Sequence, residues 1–195
     1  MDRRHWPYAK PYAWTTHPLF LLSRFVTTDI IVECTMLEDQ AIFSQEKMNQ
    51  LLDAVFLKTC KIIPHPMHVT IVLMTSQDIK SYNARYRNKN MVTNVLAFPT
   101  VEKNEPWAVL PGQPIILGDI FICWERTLSE AKEQGKSPHH HAMHLAIHGF
   151  LHLLHYDHEG DDEAEEMENL ERAIFHDHAW PDPYLERANF LRENE

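Results

Sequence analysis

With 195 residues and a formal net charge of −10, the chain is long enough for one domain that buries roughly 70% of the surface its unfolded form exposes, so it needs neither a metal nor a disulfide merely to fold. The acid excess argues against a protein that coats nucleic acid non-specifically, because such binding comes from neutralising phosphates, although it leaves room for a local basic groove. Cys34, Cys60 and Cys123 are odd in number and outside any C-x-x-C pair, the usage of reduced thiols in a cytosol-like compartment, and no apolar run approaches the ~18 residues of a membrane span.

Residues 1–28 differ from the rest. Arg3, Arg4, Lys10 and Arg24 face only Asp2, with aromatics and prolines interleaved, and Leu19-Phe-Leu-Leu22 is too short for a secretory apolar region. They read as an N-terminal extension of unknown role, with a transit peptide or an RNA-touching arm as alternatives to a peripheral segment. Residues 29–195 read as a single domain. A first strand is expected over 30–36 from its β-branched residues. Ser44 then caps a helix to about Cys60, whose core stripe is Met48, Leu51, Leu52, Val55 and Phe56. Pro64 and Pro66 precede a second strand over 69–74, and Ser76 caps a helix through about Arg85.

Tyr86-Arg87-Asn88-Lys89-Asn90 reads as a loop, and 93–99 as a strand that Pro99 confines to a sheet edge. From Ile79 to Val101 there are four basic residues and no acid, which fits either a solvated face or a phosphate-contacting edge. A proline-broken loop over 102–116 leads to an apolar strand over 117–123 and a helix from Glu125 to Gln134, closed by Gly135. Ser137-Pro138 begins the next helix with a cap residue and proline at its first position. An acid-dense run after His158 opens the last helix, where negative charge suits the macrodipole. This order predicts an α+β domain with a four-stranded mixed sheet and about five to six helices.

Fourteen histidines are present, eight of them between His139 and His158. His140, His144, His148 and His152 repeat every fourth residue and so share one helix face. Several chelating pairs are therefore available on that face. A chain reversal over 154–157 brings His158 back most easily onto His148 and His152, which makes those three the preferred metal ligands and leaves His144 lining the cleft. Three imidazoles with one open position is the layout of a catalytic zinc site. The same helix-and-turn spacing occurs in metzincin proteases, where a glutamate base follows the first histidine. Gly149 stands there instead, which argues against peptide hydrolysis. Asp157 has two readings, orienting a ligand histidine or bonding local backbone in the turn. His155 is a further candidate for the cleft, as an extra ligand or a proton donor.

The stretch His148-Gly-Phe-Leu-His152-Leu-Leu-His155-Tyr-Asp-His158 resembles the H-G-x-L-H-L-x-G-Y-D-H signature of the YbeY family, metal-dependent endoribonucleases that mature ribosomal RNA. Thr93-Asn-Val-Leu-Ala-Phe-Pro99 is similar to that family's T-D-V-L-S-F-P block, Tyr86-Arg87 to its Y-R pair, and Leu117-Gly-Asp-Ile120 to its L-G-D-I strand. The acidic run from Asp161 to Glu171 is similar too. The resemblance covers about 30 to 190. It implies one Zn2+ per chain on His148, His152 and His158, Arg87 as the functional arginine near the scissile phosphate, and single-stranded RNA as substrate. It further implies a cytoplasmic role in ribosomal RNA processing, including the 16S 3′ end, and in ribosome quality control, with the small ribosomal subunit and assembly factors as partners and no membrane. Other classes are a non-catalytic assembly factor with a structural zinc, and a metallohydrolase of another phosphoester or peptide. Three positions depart from the pattern: Asn94 and Ala97 replace an aspartate and a serine, and His155 replaces a glycine. If position 155 has φ > 0, histidine there bears roughly 1–2 kcal/mol of left-handed strain.

Overall fold

Strands β1 (Asp29–Cys34), β2 (Met67–Met74), β3 (Val95–Pro99) and β4 (Ile115–Cys123) line up in the order β1-β2-β4-β3. In this computed structural model, which describes residues 29–34, 45–59, 67–108, 110, 113–158 and 160–185, β1, β2 and β4 run parallel and β3 is antiparallel. Pro99, which has no N–H to donate, therefore sits on an edge strand, opposite Gly118. The helices are α1 (Gln45–Thr59), α2 (Ser76–Arg87), α3 (Trp124–Glu133), α4 (Pro138–Leu153) and α5 (Asp161–Asp177). An α+β arrangement with a mixed sheet and five helices among the described residues is what the order of elements predicts.

Alternation along β2 divides the side chains between two layers. Val69, Ile71 and Leu73 join Met48, Leu51, Leu52 and Val55 of α1 and the apolar residues of α4 and α5 in the main core. Phe56 completes the α1 stripe from a partly buried position. On the opposite face Ile79 and Tyr82 of α2 pack with Leu96, Phe98, Phe121 and Met74. Cys123 is a free, buried thiol in that layer. No helix among the described residues is long and apolar enough to cross a membrane.

Several boundaries differ from the sequence reading. Thr75, not Ser76, caps α2: its backbone is extended, and its hydroxyl accepts from the Asp78 N–H at 3.2 Å and donates to the Asp78 carboxylate at 2.7 Å. With Thr75 as the cap, an acid, Asp78, stands three residues on. Tyr86 and Arg87 belong to the last turn of α2 rather than to a loop, since nothing stops the helix before Asn88. Asn88 takes a left-handed conformation at φ 56, and the Lys89 N–H returns to the Asn83 carbonyl at 3.2 Å. Ser137 begins α4 without a side-chain capping bond. The strand β4 starts at Ile115, two residues before the expected start, because Met67 extends β2 to pair with it. The extension over 1–28, the Ser44 cap, Cys60, Pro64 and Pro66 lie outside the described residues.

Candidate metal centre

Helix α4 is apolar nearly all round. From His141 to Leu153 every residue is buried except His144, His148 and His152, which recur every fourth position and are partly exposed. The helix packs closely on β4 at Gly149, where an added Cβ would lie 2.7 Å from Cγ2 of Ile120. Gly149 lies about 100° round the helix from His148, so the histidine row flanks this contact and faces the cleft beside β3.

Past Leu153 the chain reverses. His155 adopts φ 65, its N–H donates to the His152 carbonyl at 3.0 Å, and the Tyr156 N–H donates to the Leu151 carbonyl at 3.0 Å. These are the two bonds of a Schellman motif, with histidine in the left-handed position that glycine usually fills. The reversal returns His158 to the row: one ring nitrogen from each of His148, His152 and His158 lies within 4.8 Å of the others. His155 does not join them, because its ring stacks on Trp107 with centroids 6.0 Å apart and planes at 19°. Asp157 makes the local bond, its Oδ1 accepting from the His158 N–H at 2.8 Å.

Ring tautomers follow from the partners. His148 Nδ1 meets the Glu171 carboxylate at 3.0 Å and His152 Nδ1 meets the Tyr156 carbonyl at 3.0 Å. Both partners only accept, so both Nδ1 atoms carry a proton, which makes Nε2 of each ring the atom available to a metal. Those two Nε2 atoms are 3.1 Å apart. Two nitrogens on one tetrahedral zinc at about 2.0–2.1 Å would be separated by about 3.4 Å, close to this spacing. The donor set thus fits a divalent metal. Burial, then the neighbouring His148 and His158, lowers His152 to about 4, so its nitrogen is unprotonated at neutral pH.

Glu171 orders the row from beneath. Its carboxylate is fully buried and accepts from His144 Nε2 at 2.7 Å and His148 Nδ1 at 3.0 Å, and also from the Tyr184 hydroxyl. Burial pulls its pKa upward, but the bonds from His144 and His148 outweigh that and hold it at about 2. His144 therefore lies beside the ligands and bonds to their supporting carboxylate. Glu171 was not singled out from the sequence, although a signal existed. Met167, Glu171, Ile174 and Phe175 form the buried stripe of α5, and a single carboxylate in an apolar stripe requires a buried partner.

Arg87 lines the same groove as His148, His152 and His158, a cleft of about 450 Å³ to which Lys89, Thr93 and Asn94 also contribute. Its Nη2 donates to the Ala97 carbonyl at 3.2 Å, which ties an exposed guanidinium to edge strand β3. The Asn83 amide holds the intervening loop through the Met91 carbonyl at 2.8 Å. Just before β3, Asn94 donates to Glu130 at 3.0 Å, and His141 meets the same oxygen at 2.9 Å.

A family model described as Endoribonuclease YbeY matches residues 33–179. A protein of Rhodopseudomonas palustris strain BisA53 named Endoribonuclease YbeY is 38% identical over 161 residues, covering 81% of this chain and 88% of that one. A relative of the same name from Rhodopseudomonas palustris strain CGA009 is 48% identical over 114 residues, 58% of each chain. Another from Dichelobacter nodosus is 45% identical over 126 residues, 65% of this chain and 77% of the relative. The aligned part of the chain thus spans between 58% and 88% of these relatives. A solution structure of a Thermotoga maritima protein shares the fold, with a TM-score of 0.50 and 21% identity over 77% of this chain and 91% of that one.

Proposed function

The chain belongs to the YbeY family, and on that premise we propose that it is a zinc-dependent endoribonuclease that cuts single-stranded RNA during ribosomal RNA maturation. One Zn2+ per chain is held by His148, His152 and His158 on a metzincin-like helix and turn, and Arg87 is the catalytic residue at the scissile phosphate. The enzyme forms a single domain over 29–195, works in the cytoplasm, and acts with the small ribosomal subunit and its assembly factors in 16S 3′-end processing and quality control. The observation that carries this reading is the single cleft containing both the three-imidazole cluster and Arg87.

A zinc bound there supplies Lewis acidity and lowers the pKa of a coordinated water toward 7. The chain's own groups do the rest. Glu171 and the Tyr156 carbonyl keep protons on the two Nδ1 atoms and so keep Nε2 free for the metal. Arg87 keeps one donor on Ala97, and its remaining N–H groups form a planar, permanently charged fork suited to the phosphoryl oxygens, where negative charge grows in the transition state. Non-catalytic assembly around a closed zinc would call for a fourth protein ligand. Among the described residues three gather, and His155, the nearest candidate in sequence, stacks on Trp107.

The test is cleavage of a single-stranded RNA by the zinc-loaded full chain, with and without chelator, alongside Arg87→Ala and Arg87→Lys. Chelation abolishes cleavage, and Arg87→Ala lowers it by roughly 10²–10³ while the chain still carries one zinc. Arg87→Lys recovers little of this, because an ammonium lacks the planar fork. Cleavage indifferent to both chelator and arginine would overturn the reading. A substrate with one 2′-deoxy residue at the cleavage position survives if the 2′-hydroxyl attacks and is cut if water does.

A further inference from the structure

The segment after α5 closes over the supporting carboxylate. Pro183 is buried, and its carbonyl accepts from Lys136 Nζ at 2.5 Å. Asp182 takes a bond from Arg172 Nε at 3.3 Å and caps the Tyr184 N–H at 2.8 Å. The Arg172 guanidinium lies 4.5 Å over the Tyr184 ring, and that ring meets His144 edge-on at 5.2 Å. So held, the Tyr184 hydroxyl donates to Oε2 of Glu171, the oxygen that also accepts from His144, while Oε1 accepts from His148 Nδ1. The strap lies beyond residue 179, where the match to the family model ends.

We propose that Tyr184 is a positioning residue for the metal centre, fixing Glu171 so that the carboxylate holds His148 with its proton on Nδ1 and its Nε2 toward the metal. A fully buried carboxylate needs several donors to stay in place. Here two donors are imidazoles of α4 and the third comes from the strap. Without the hydroxyl, Oε2 keeps only His144, the carboxylate is free to rotate toward the vacated site, and the His148 ring loses its fixed orientation. Partners that orient a ligand in this way are typically worth 10–100-fold in metal affinity. The strap thereby makes metal binding depend on residues outside the α4 motif.

The inference rests on the reading of His148, His152 and His158 as ligands. Its test is zinc affinity of the full chain by competition with a chromophoric chelator, for wild type, Tyr184→Phe, Glu171→Gln, the double variant and His152→Ala. Cobalt absorption spectra of the same proteins serve as a second readout. Tyr184→Phe keeps the ring on Arg172 and His144, so the fold is retained, and zinc binding weakens roughly tenfold with an altered cobalt spectrum. In the Glu171→Gln background the same change adds less than twofold, because the hydroxyl acts through that carboxylate. Wild-type zinc affinity in Tyr184→Phe, or a full tenfold loss persisting on top of Glu171→Gln, overturns the proposal while leaving the ligand assignment intact. Unchanged zinc binding in His152→Ala overturns the ligand assignment and this proposal with it.

Discussion

At the scale of single residues, His155 shows two opposed effects of similar size. Its left-handed backbone costs roughly 1–2 kcal/mol for a non-glycine residue, and its stacking on Trp107 returns about 0.5–1.5 kcal/mol. His155→Ala keeps the strain and loses the stack, so it destabilises by about 1 kcal/mol. His155→Gly loses both and lies within about 1 kcal/mol of wild type, after the extra freedom glycine gives the unfolded chain. Urea midpoints compare the two, and an alanine variant as stable as the glycine variant would show that the backbone carries no strain. Glu171 and His152 make the metal-free chain acid-sensitive. His152 falls from 6.5 to about 4 in the fold, so the unfolded chain gains a proton there first and stability drops as pH falls from about 6.5 toward 4. Glu171 falls from 4.5 to about 2; its contribution is complete above about 4.5 and disappears as pH falls toward 2. Denaturant midpoints of the chelated chain should therefore decline steadily from pH 7 to 3. Glu171→Gln should flatten the part below 4.5, and an unchanged slope there would refute the assignment.

At the scale of elements, the site depends on how α4 and β3 are pinned to β4. Gly149 allows α4 to rest on Ile120, so Gly149→Ala overpacks this contact and costs about 1–3 kcal/mol. Gly118 is harder to replace. It has φ 147, and a Cβ would lie 2.2 Å from the Phe98 carbonyl oxygen of the neighbouring strand, a backbone atom that cannot rotate away. Gly118→Ala is expected to cost roughly 2–5 kcal/mol, more than Gly149→Ala by thermal unfolding; the reverse order would mean that the strand pairing yields more easily than the helix contact. The strands and helices were legible because their periodicities are strong, as in the α1 stripe or the β-branched β2. The end of α2 was not. Arg87 lies beside polar residues whose spacing separates helix from loop poorly, and only the left-handed Asn88 with its bond back to Asn83 marks the stop.

At the scale of the whole molecule, the proposed metal site lies outside the apolar core. The apolar residues of α1, α4, α5 and the sheet form one continuous cluster, whereas the three clustered histidines lie on the partly exposed face of α4 and in the turn after it. Chelation should leave the helical circular-dichroism signal intact. Zinc at a hundred times its dissociation constant adds about 2.7 kcal/mol, or roughly 5–10 °C in melting temperature for a chain of this size. Loss of the helical signal on chelation would instead make the metal a folding requirement.

By itself the sequence determined the α+β order of elements, the histidine row on one face of α4, the reversal that returns His158 to it, and the edge position of β3. Each of these depends on spacing or backbone chemistry within a few residues: the four-residue repeat of imidazoles, the turn that brings position 158 back toward 152, the missing N–H of Pro99. Tertiary structure alone decided that Arg87 shares a cleft with the histidines, that His155 turns to Trp107, and that Glu171 and Tyr184 lie behind His148. Those contacts join residues 13 to 71 positions apart, and the partner of a buried carboxylate or an exposed arginine over such a distance is set by how helices pack on the sheet, which no local pattern encodes.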